Sequence, residues 1–332
     1  EWVPTVNSAY GTYGNWINPL GAMTIGKGYA ITAPNNFSAT TAQEFTATFT
    51  GVPNNGIVSL PMQRGDFDGA DYLNSLNNIY VSKWDDNYNL IGNPYPSAIS
   101  ANEFLIHNNG VIQGHLDLWI NSGLSSLNAD PFYGNYDLNY DGNSFLIYNL
   151  SGSTAGPGTF NGSIGAAQGF FVTMLDEVPS GTTVEFTNQM RSKNHNNSVF
   201  YRTANQPESR LWIDLAKVDS NTNQFINRIL VGYVNNATNG LDNLNDAVKA
   251  KKLDTDIYSL TTSSVDGFSI QGRQLPFNPE DIVPLGINIK QAGNYVINLA
   301  FVEGELENET QEIYIEDREL QITHNLKSGN YN

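Results

Sequence analysis

The sequence predicts an all-β protein of two β-sandwich-like domains, jelly-roll or Ig-like, in tandem. Three observations predict it. Short aromatic and β-branched segments recur along the chain, separated by Gly, Asn and Pro clusters. The chain holds 44 Asn, and only 15 % of its residues are charged. Asn, Ser and Gly favour turns and strand ends over helices. The length, 332 residues, fits roughly two domains of about 150 residues.

In chain order, strands are expected at Gln43–Thr50 (QEFTATFT), Ser144–Tyr148 (SFLIY), Gly169–Met174 (GFFVTM) and Thr182–Thr187 (TTVEFT). Later strands alternate more cleanly. In RLWIDLAKV, Leu211, Ile213 and Leu215 share one face, and Trp212 and Asp214 share the other. In NYVINLAFV, Tyr295, Ile297 and Leu299 share a face. Period two implies one buried and one wet face. One helix is a candidate, Asn243–Lys252 (NLNDAVKAKK), with Asp242 before it and three Lys towards its end. Its apolar face is slight, and an irregular loop fits equally well.

The domain boundary is expected at Thr203–Ser209 (TANQPES), which divides the chain into 1–207 and 208–332. The first part carries 15 acids and 6 bases, the second 18 and 10, so their net charges are −9 and −8. Neither part is an acidic tail. No repeat with a period of roughly 20–50 residues is visible, which argues against a solenoid or propeller.

The formal net charge of −17 opposes nucleic acid, whose phosphates need a Lys/Arg field. It opposes anionic membrane surfaces too. No run approaches the roughly 20 apolar residues of a membrane span. The opening, EWVPTVNSAY, does not read as a secretory signal, so the chain is expected to begin as a mature or internal piece. The absence of cysteine removes thiol catalysis, thiolate metal sites and disulfides. A weakly charged, Asn-rich β protein reads as secreted or surface-exposed.

Motifs that carry chemistry are few. Gly21–Gly28 (GAMTIGKG) fits the start of a P-loop, but Gly28 stands where Ser or Thr is needed, and YAITA follows as a strand. A Gly-rich turn is the better reading. There is no G-x-S-x-G elbow and no H-E-x-x-H, and His107, His115, His195 and His324 are scattered. Asp137, Asn139 and Asp141, followed by Gly142, reproduce the first half of a calcium loop. Tyr148 stands where the closing Glu belongs, so a calcium ion there would need a distant carboxylate; an Asx-rich turn is the competing reading. Asp66, Asp68 and Asp71 form a second candidate metal cluster, and Asp242 with Asp246 a weaker third. Trp119, Tyr136 and Tyr140 flank the Asp137 loop, and a second aromatic group holds Tyr10, Tyr13 and Trp16. Such rings stack on sugars or pack in cores. A glycoside hydrolase needs only two carboxylates, and 33 acids leave the pair unspecified.

Several phrases occur in a telling order. They are IGKGYAI (Ile25–Ile31), GVPNNG (Gly51–Gly56), NLIGNPYPSAI (Asn89–Ile99), AAQGFFV (Ala166–Val172), VEFTNQMR (Val184–Arg191), RLWIDL (Arg210–Leu215), NRILVGYVNNATNGLD (Asn227–Asp242), IQGRQLPFNPEDIVPLGI (Ile270–Ile287), IYIED (Ile313–Asp317) and HNLKSGNY (His324–Tyr331). Over nearly its whole length the chain thus resembles the region preceding a type C C-terminal sorting signal in Bacteroidota surface proteins exported by the type IX secretion system. The resemblance implies a non-catalytic structural or adhesive region, located outside the cell. Its partners would be neighbouring domains of a larger parent protein and, through the sorting signal, the secretion machinery. Family chains continue past the position of Tyr331 with a further strand and the sorting domain, so the second domain is expected to be truncated. The alternatives are a calcium-assisted glycan-binding module, binding polysaccharide or a cell surface, and a polysaccharide-active hydrolase. Within the phrases, NPYP reads as a rigid turn in which either X-Pro bond can be cis. Arg191 and Arg273, scarce cations in an acidic chain, are expected to pair with buried carboxylates.

Overall fold

The computed structural model describes residues 1–4, 14–19, 21–31, 46, 48, 50–67, 70, 72–74, 79–120, 145–191, 208–219, 222–249, 255–262, 264 and 266–332. The expected strand at Gln43–Thr50 falls largely outside these residues, as does most of the expected Thr203–Ser209 boundary.

Among the described residues the protein is mostly β, about 40 % strand with one short α-helix. Up to residue 191 the strands are β1 (Trp2–Pro4), β2 (Gly14–Trp16), β3 (Val58–Pro61), β4 (Tyr72–Asn74), β5 (Ile79–Val81), β6 (Tyr88–Gly92), β7 (Ile99–Ser100), β8 (Leu116–Trp119), β9 (Phe145–Asn149), β10 (Gly152–Ser153), β11 (Ser163–Ile164), β12 (Gly169–Thr173) and β13 (Thr183–Phe186). Helix α1 (Ala101–His107) follows β7. From residue 208 they are β14 (Ser209–Asp219), β15 (Thr222–Tyr233), β16 (Ala247–Val248), β17 (Asp256–Ser259), β18 (Phe268–Arg273), β19 (Leu285–Asn288), β20 (Asn294–Glu303), β21 (Tyr314–Asp317) and β22 (Ile322–Asn325).

An antiparallel sheet in the order β10-β9-β8-β12-β6 organises the first part. Alternation sends Leu116, Leu118, Leu146, Phe170, Val172 and Ile91 into one core. Helix α1 closes that core. The Ser100 hydroxyl caps it, accepting from Glu103 N at 3.2 Å. Phe104 stacks on Phe186 at 5.0 Å and meets Phe170 edge-on at 5.3 Å. Asn108, at the helix end, donates to Phe104 O and Glu185 O and accepts from Glu185 N, which ties α1 to β13.

The NPYP segment is the rigid turn the sequence implies. Asn93 donates to Ser97 O, Ile164 O and Gly165 O, and accepts from Tyr95 N. Both of its X-Pro bonds are trans; the cis bond among the described residues is Leu275–Pro276. The GAMTIGKG segment is no P-loop. Lys27 bridges to Ile91, Gly28 N donates to Leu90 O, and a Cβ at Gly28 would lie 2.5 Å from Leu90. The glycine is needed because two backbones approach there.

The second part is built on a seven-stranded sheet, β19-β17-β18-β15-β14-β20 with β16 beside β18, curled into a half-barrel. All pairs are antiparallel except β15–β18. Leu211, Ile213 and Leu215 of β14 point into its core with Ile229, Val231, Ile257 and Ile297. Tyr295 and Leu299 join them, as the alternation requires. Asn227 bridges two strands by exchanging hydrogen bonds with both backbone groups of Ile257. The candidate helix at Asn243–Lys252 is not formed in its described part. Residues 243–245 are a turn and 247–248 pair with β18. A segment with so slight an apolar face gains more from joining the sheet.

The opposite face of β14 is not wet, contrary to expectation. Trp212 is buried with Leu230, Ala247 and Ile270, and this cluster packs on Ile147 of β9. Polar groups seal the seam between the two parts. Arg210, 3 % exposed, donates from Nε to Ser151 O at 2.5 Å and pairs with Glu208 and Glu303. Trp212 Nε1 donates to Ser153 O at 2.8 Å, and Leu150 N to Leu244 O at 3.0 Å. Asn243 accepts from Gly114 N and donates to Asn109 Oδ1 and Ile112 O. A Cβ at Gly114 would lie 1.8 Å from Asn243 O.

Gly114→Ala should therefore force the 243–246 turn away and destabilise the protein by about 2 kcal/mol or more. Gly110→Ala, where a Cβ meets nothing within 4 Å, is the control. Urea denaturation measures both; equal midpoints would remove the seam as a source of stability.

Candidate functional site

The face of the five-stranded sheet turned away from its core is aromatic. Trp119 of β8 meets Phe145 of β9 edge-on at 5.4 Å, and Phe145 meets Phe171 of β12 at 5.9 Å. The β1–β2 hairpin adds Trp2 at 5.5 Å and Trp16 at 6.4 Å from Phe171, and Tyr88 of β6 lies 6.3 Å away. Trp2 is also held by a hydrogen bond from Nε1 to Tyr88 O. Trp119, at the end of the row, is 38 % exposed, which leaves part of its ring open to solvent.

A carboxylate lies among these rings. Asp117 has the parity of Trp119, so it faces the aromatic side while Leu116 and Leu118 face the core. Burial raises its pKa to about 7, although the Tyr88 phenol donates to it. The Tyr88 phenol is itself pushed well above its usual value, first by burial and then by Asp117. His115, two residues earlier, is buried, which lowers its pKa to about 4. Asp117 Oδ1, His115 Nδ1 and both amide atoms of Gln113 have no hydrogen-bond partner. What this face offers to the outside is rings for stacking; Asp117 lies buried beneath them.

A second polar group lies at the Asp85–Asn87 turn. Asp85 accepts from Ser82 N and Oγ. Asp86 accepts from Phe67 N, and its backbone carbonyl accepts from Gly65 N. Burial raises the Asp86 pKa to about 6. Asn87 donates to Asp176, which also pairs with Arg64 and Lys83. Among the described residues, no three His, Cys, Asp or Glu side chains are grouped so as to hold a metal.

The residues singled out by sequence fall out as follows. Trp119 sits on the aromatic face. Tyr136, Tyr140, Asp137, Asn139, Asp141, Asp68 and Asp71 lie outside the described residues. Asp66 is exposed on a bend one residue before Phe67, whose N–H binds Asp86. Asp242 and Asp246 serve backbone groups: Asp242 accepts from Thr238 N, and Asp246 accepts from Asp242 N and Gly272 N. Burial raises the Asp246 pKa to about 7. Arg273 pairs with Asp281 as expected, within a group that includes Tyr233. Among the described residues Arg191 pairs with no carboxylate. It donates to Ser97, Asn55 and Asn188 and lies 4.6 Å over the Tyr95 ring. The sequence did not single out Asp117, and it offered His115 only as one of four scattered histidines, whereas the structure buries it. The available signal was an Asp between two apolar residues in LDLW, a polar side chain at a strand position.

The architecture defines a mostly β protein whose two parts share a sealed polar seam and whose first part carries an aromatic, acid-bearing sheet face. Over residues 1–332 the chain matches the family model described as a domain of unknown function, DUF8693, and it belongs to that family. No curated protein and no solved structure matches it.

The buried acids make stability depend on pH. Asp86, Asp117 and Asp246 have folded-state pKa values of about 6, about 7 and about 7, against 3.8 for an ordinary Asp. Folding therefore takes up their protons, and the stabilisation, complete below 3.8, is lost as pH rises through those values. His115 acts oppositely: its pKa falls from 6.5 to about 4, so its contribution is lost as pH drops through that window. Three groups outweigh one. The urea midpoint should fall between about pH 5 and about pH 8, and Asp117→Asn should flatten the slope. A midpoint that rises over this range would contradict the assignment.

Proposed function

We propose that this chain is a non-catalytic structural and adhesive region of a bacterial surface protein exported by the type IX secretion system. In this reading it comprises two sandwich-like units in tandem, 1–207 and 208–332, acting outside the cell beside other domains of a parent protein. The supporting observation is the seam. Arg210 is buried at the junction, where it pairs with Glu208 and Glu303 and binds Ser151 O. The contacts that cross the junction from this strand are Arg210 Nε to Ser151 O and Trp212 Nε1 to Ser153 O, and leaving a buried donor of this kind unpaired costs about 1–3 kcal/mol. Such a joint lets two β units transmit position and load together, as a spacer or adhesive stalk requires. The test is deletion of this region from its parent protein. Surface attachment and adhesion should fall; if both persist unchanged, the reading fails. At the molecular level, Arg210→Ala should loosen the joint, so that proteolysis between the parts accelerates at least about tenfold. An unchanged cleavage rate would show that the seam does not hold the parts together.

A second reading, a glycan-binding module assisted by calcium, is supported by Trp119. Its part-exposed ring continues a row of aromatics on the sheet face. A polysaccharide screen with calcium and with chelator should give binding that Trp119→Ala weakens about tenfold or more. Binding that ignores this substitution would place any glycan elsewhere.

A further inference from the structure

β20 is the terminal strand of the seven-stranded sheet and runs for ten residues, Asn294–Glu303. One edge pairs with β14. On the other edge, among the described residues, the backbone pairing is a single antiparallel bridge: Ile297 and Tyr331 exchange N–H···O bonds of 2.8 and 3.0 Å. Ile297 thus shows where the outer edge points. In an antiparallel strand the outward groups recur at every second residue, which brings Leu299 to that edge. The register shift opposite Trp212 and Ile213 inserts one residue, so the following outward position is Val302. Residues 294–302 carry no charge, no Pro and no Gly, so beyond the Tyr331 bridge at Ile297 the edge is blunted only by that bulge. Phe301, in the same stretch, is 42 % exposed. An added strand would cover it.

Charge selects the occupant. Just past the strand the chain reads GELENE, and Glu305, Glu307 and Glu309 are all exposed. A strand added antiparallel to β20 begins beside this brim. A second copy of the chain would bring a further net −17 to it. We propose that the Leu299–Val302 edge of β20 receives, antiparallel, an extended uncharged segment of another polypeptide whose N-terminal end carries Lys or Arg. Main-chain hydrogen bonds would supply affinity, and the acidic brim direction. The geometry stands independently of the surface-module reading.

The probe is a synthetic peptide, Lys-Lys-Thr-Val-Thr-Val-Thr-Val, titrated against the intact chain by fluorescence anisotropy and followed by amide hydrogen exchange. Binding should slow exchange at Leu299 and Val302 and leave Ile297, already bonded to Tyr331, unchanged. N-methylation of alternate peptide amides should weaken binding about tenfold or more, because it removes ladder donors without altering the protein. Replacing Glu305, Glu307 and Glu309 together by Gln should weaken it several-fold and reduce its salt dependence. No binding, equal binding by the N-methylated peptide, or protection away from β20 would each overturn the proposal. A concentration-dependent dimer with protected Leu299 and Val302 would overturn it too, by assigning the edge to a second copy. None of these outcomes bears on surface attachment, so the deletion test remains separate.

Discussion

The buried guanidinium of Arg210 decides how the two parts of the chain relate. Its Nε is satisfied by Ser151 O, on the turn joining β9 to β10, and its other nitrogens by Glu208, just before β14, and Glu303, the last residue of β20. A charge this deep is tolerated only where all of its donors find acceptors. The β9–β10 turn must therefore present its carbonyls to β14. Trp212, two residues on and of the same parity, repeats the arrangement with Ser153 O. One strand thus reads two carbonyls of the other part at a two-residue spacing, which a rigid strand can do and a loop cannot. The 243–246 turn, packed on Gly114 and Leu150, closes the seam from the second side.

Much of the β character was legible. The strands at 145–149, 169–173 and 183–186 and the two long alternating strands stand where hydrophobic period and turn residues place them. The buried faces of Leu211, Ile213 and Leu215 and of Tyr295, Ile297 and Leu299 followed from period two. What sequence could not show was the second buried face of β14. Trp212 alternates with core residues in a pattern that a strand open to water on one side would share. Only the partner surface, Ile147 and the Ser151–Ser153 carbonyls, distinguishes the two cases, and that surface is about sixty residues away in the chain. The same limit hid Arg210, which is buried against Ser151 O and Glu303, both far from it in the chain.

The aromatic face was half legible. Trp119 was nominated from its company of rings, but Asp117 beside it was not. Its importance comes from burial under Tyr88 and the neighbouring aromatics rather than from any spacing to other acids. Of the acids that sequence grouped in short loops, Asp242 and Asp246, the weakest of the candidates, bind backbone N–H groups, and Asp66 is exposed on a bend. Clustering of Asp with Gly and Asn is the signature of a turn before it is the signature of a metal.

The charge balance ties these features together. With 16 cations to 33 acids, several of the cations are committed to internal pairs: Arg210 to Glu208 and Glu303, Arg228 to Asp214, Lys249 to Asp256, Arg273 to Asp281. Each such pairing sets a cation against a carboxylate, so nearly the whole net charge of −17 is left on the remaining side chains. A net negative charge keeps copies of the chain apart, which matters for a protein whose edge strand is uncharged over residues 294–302. Edge strands are usually guarded by charges on the strand itself. In β20 the guard is displaced to the flanking Glu305, Glu307 and Glu309, so the edge is closed to like-charged copies while its hydrogen-bonding groups remain available to a strand of opposite charge.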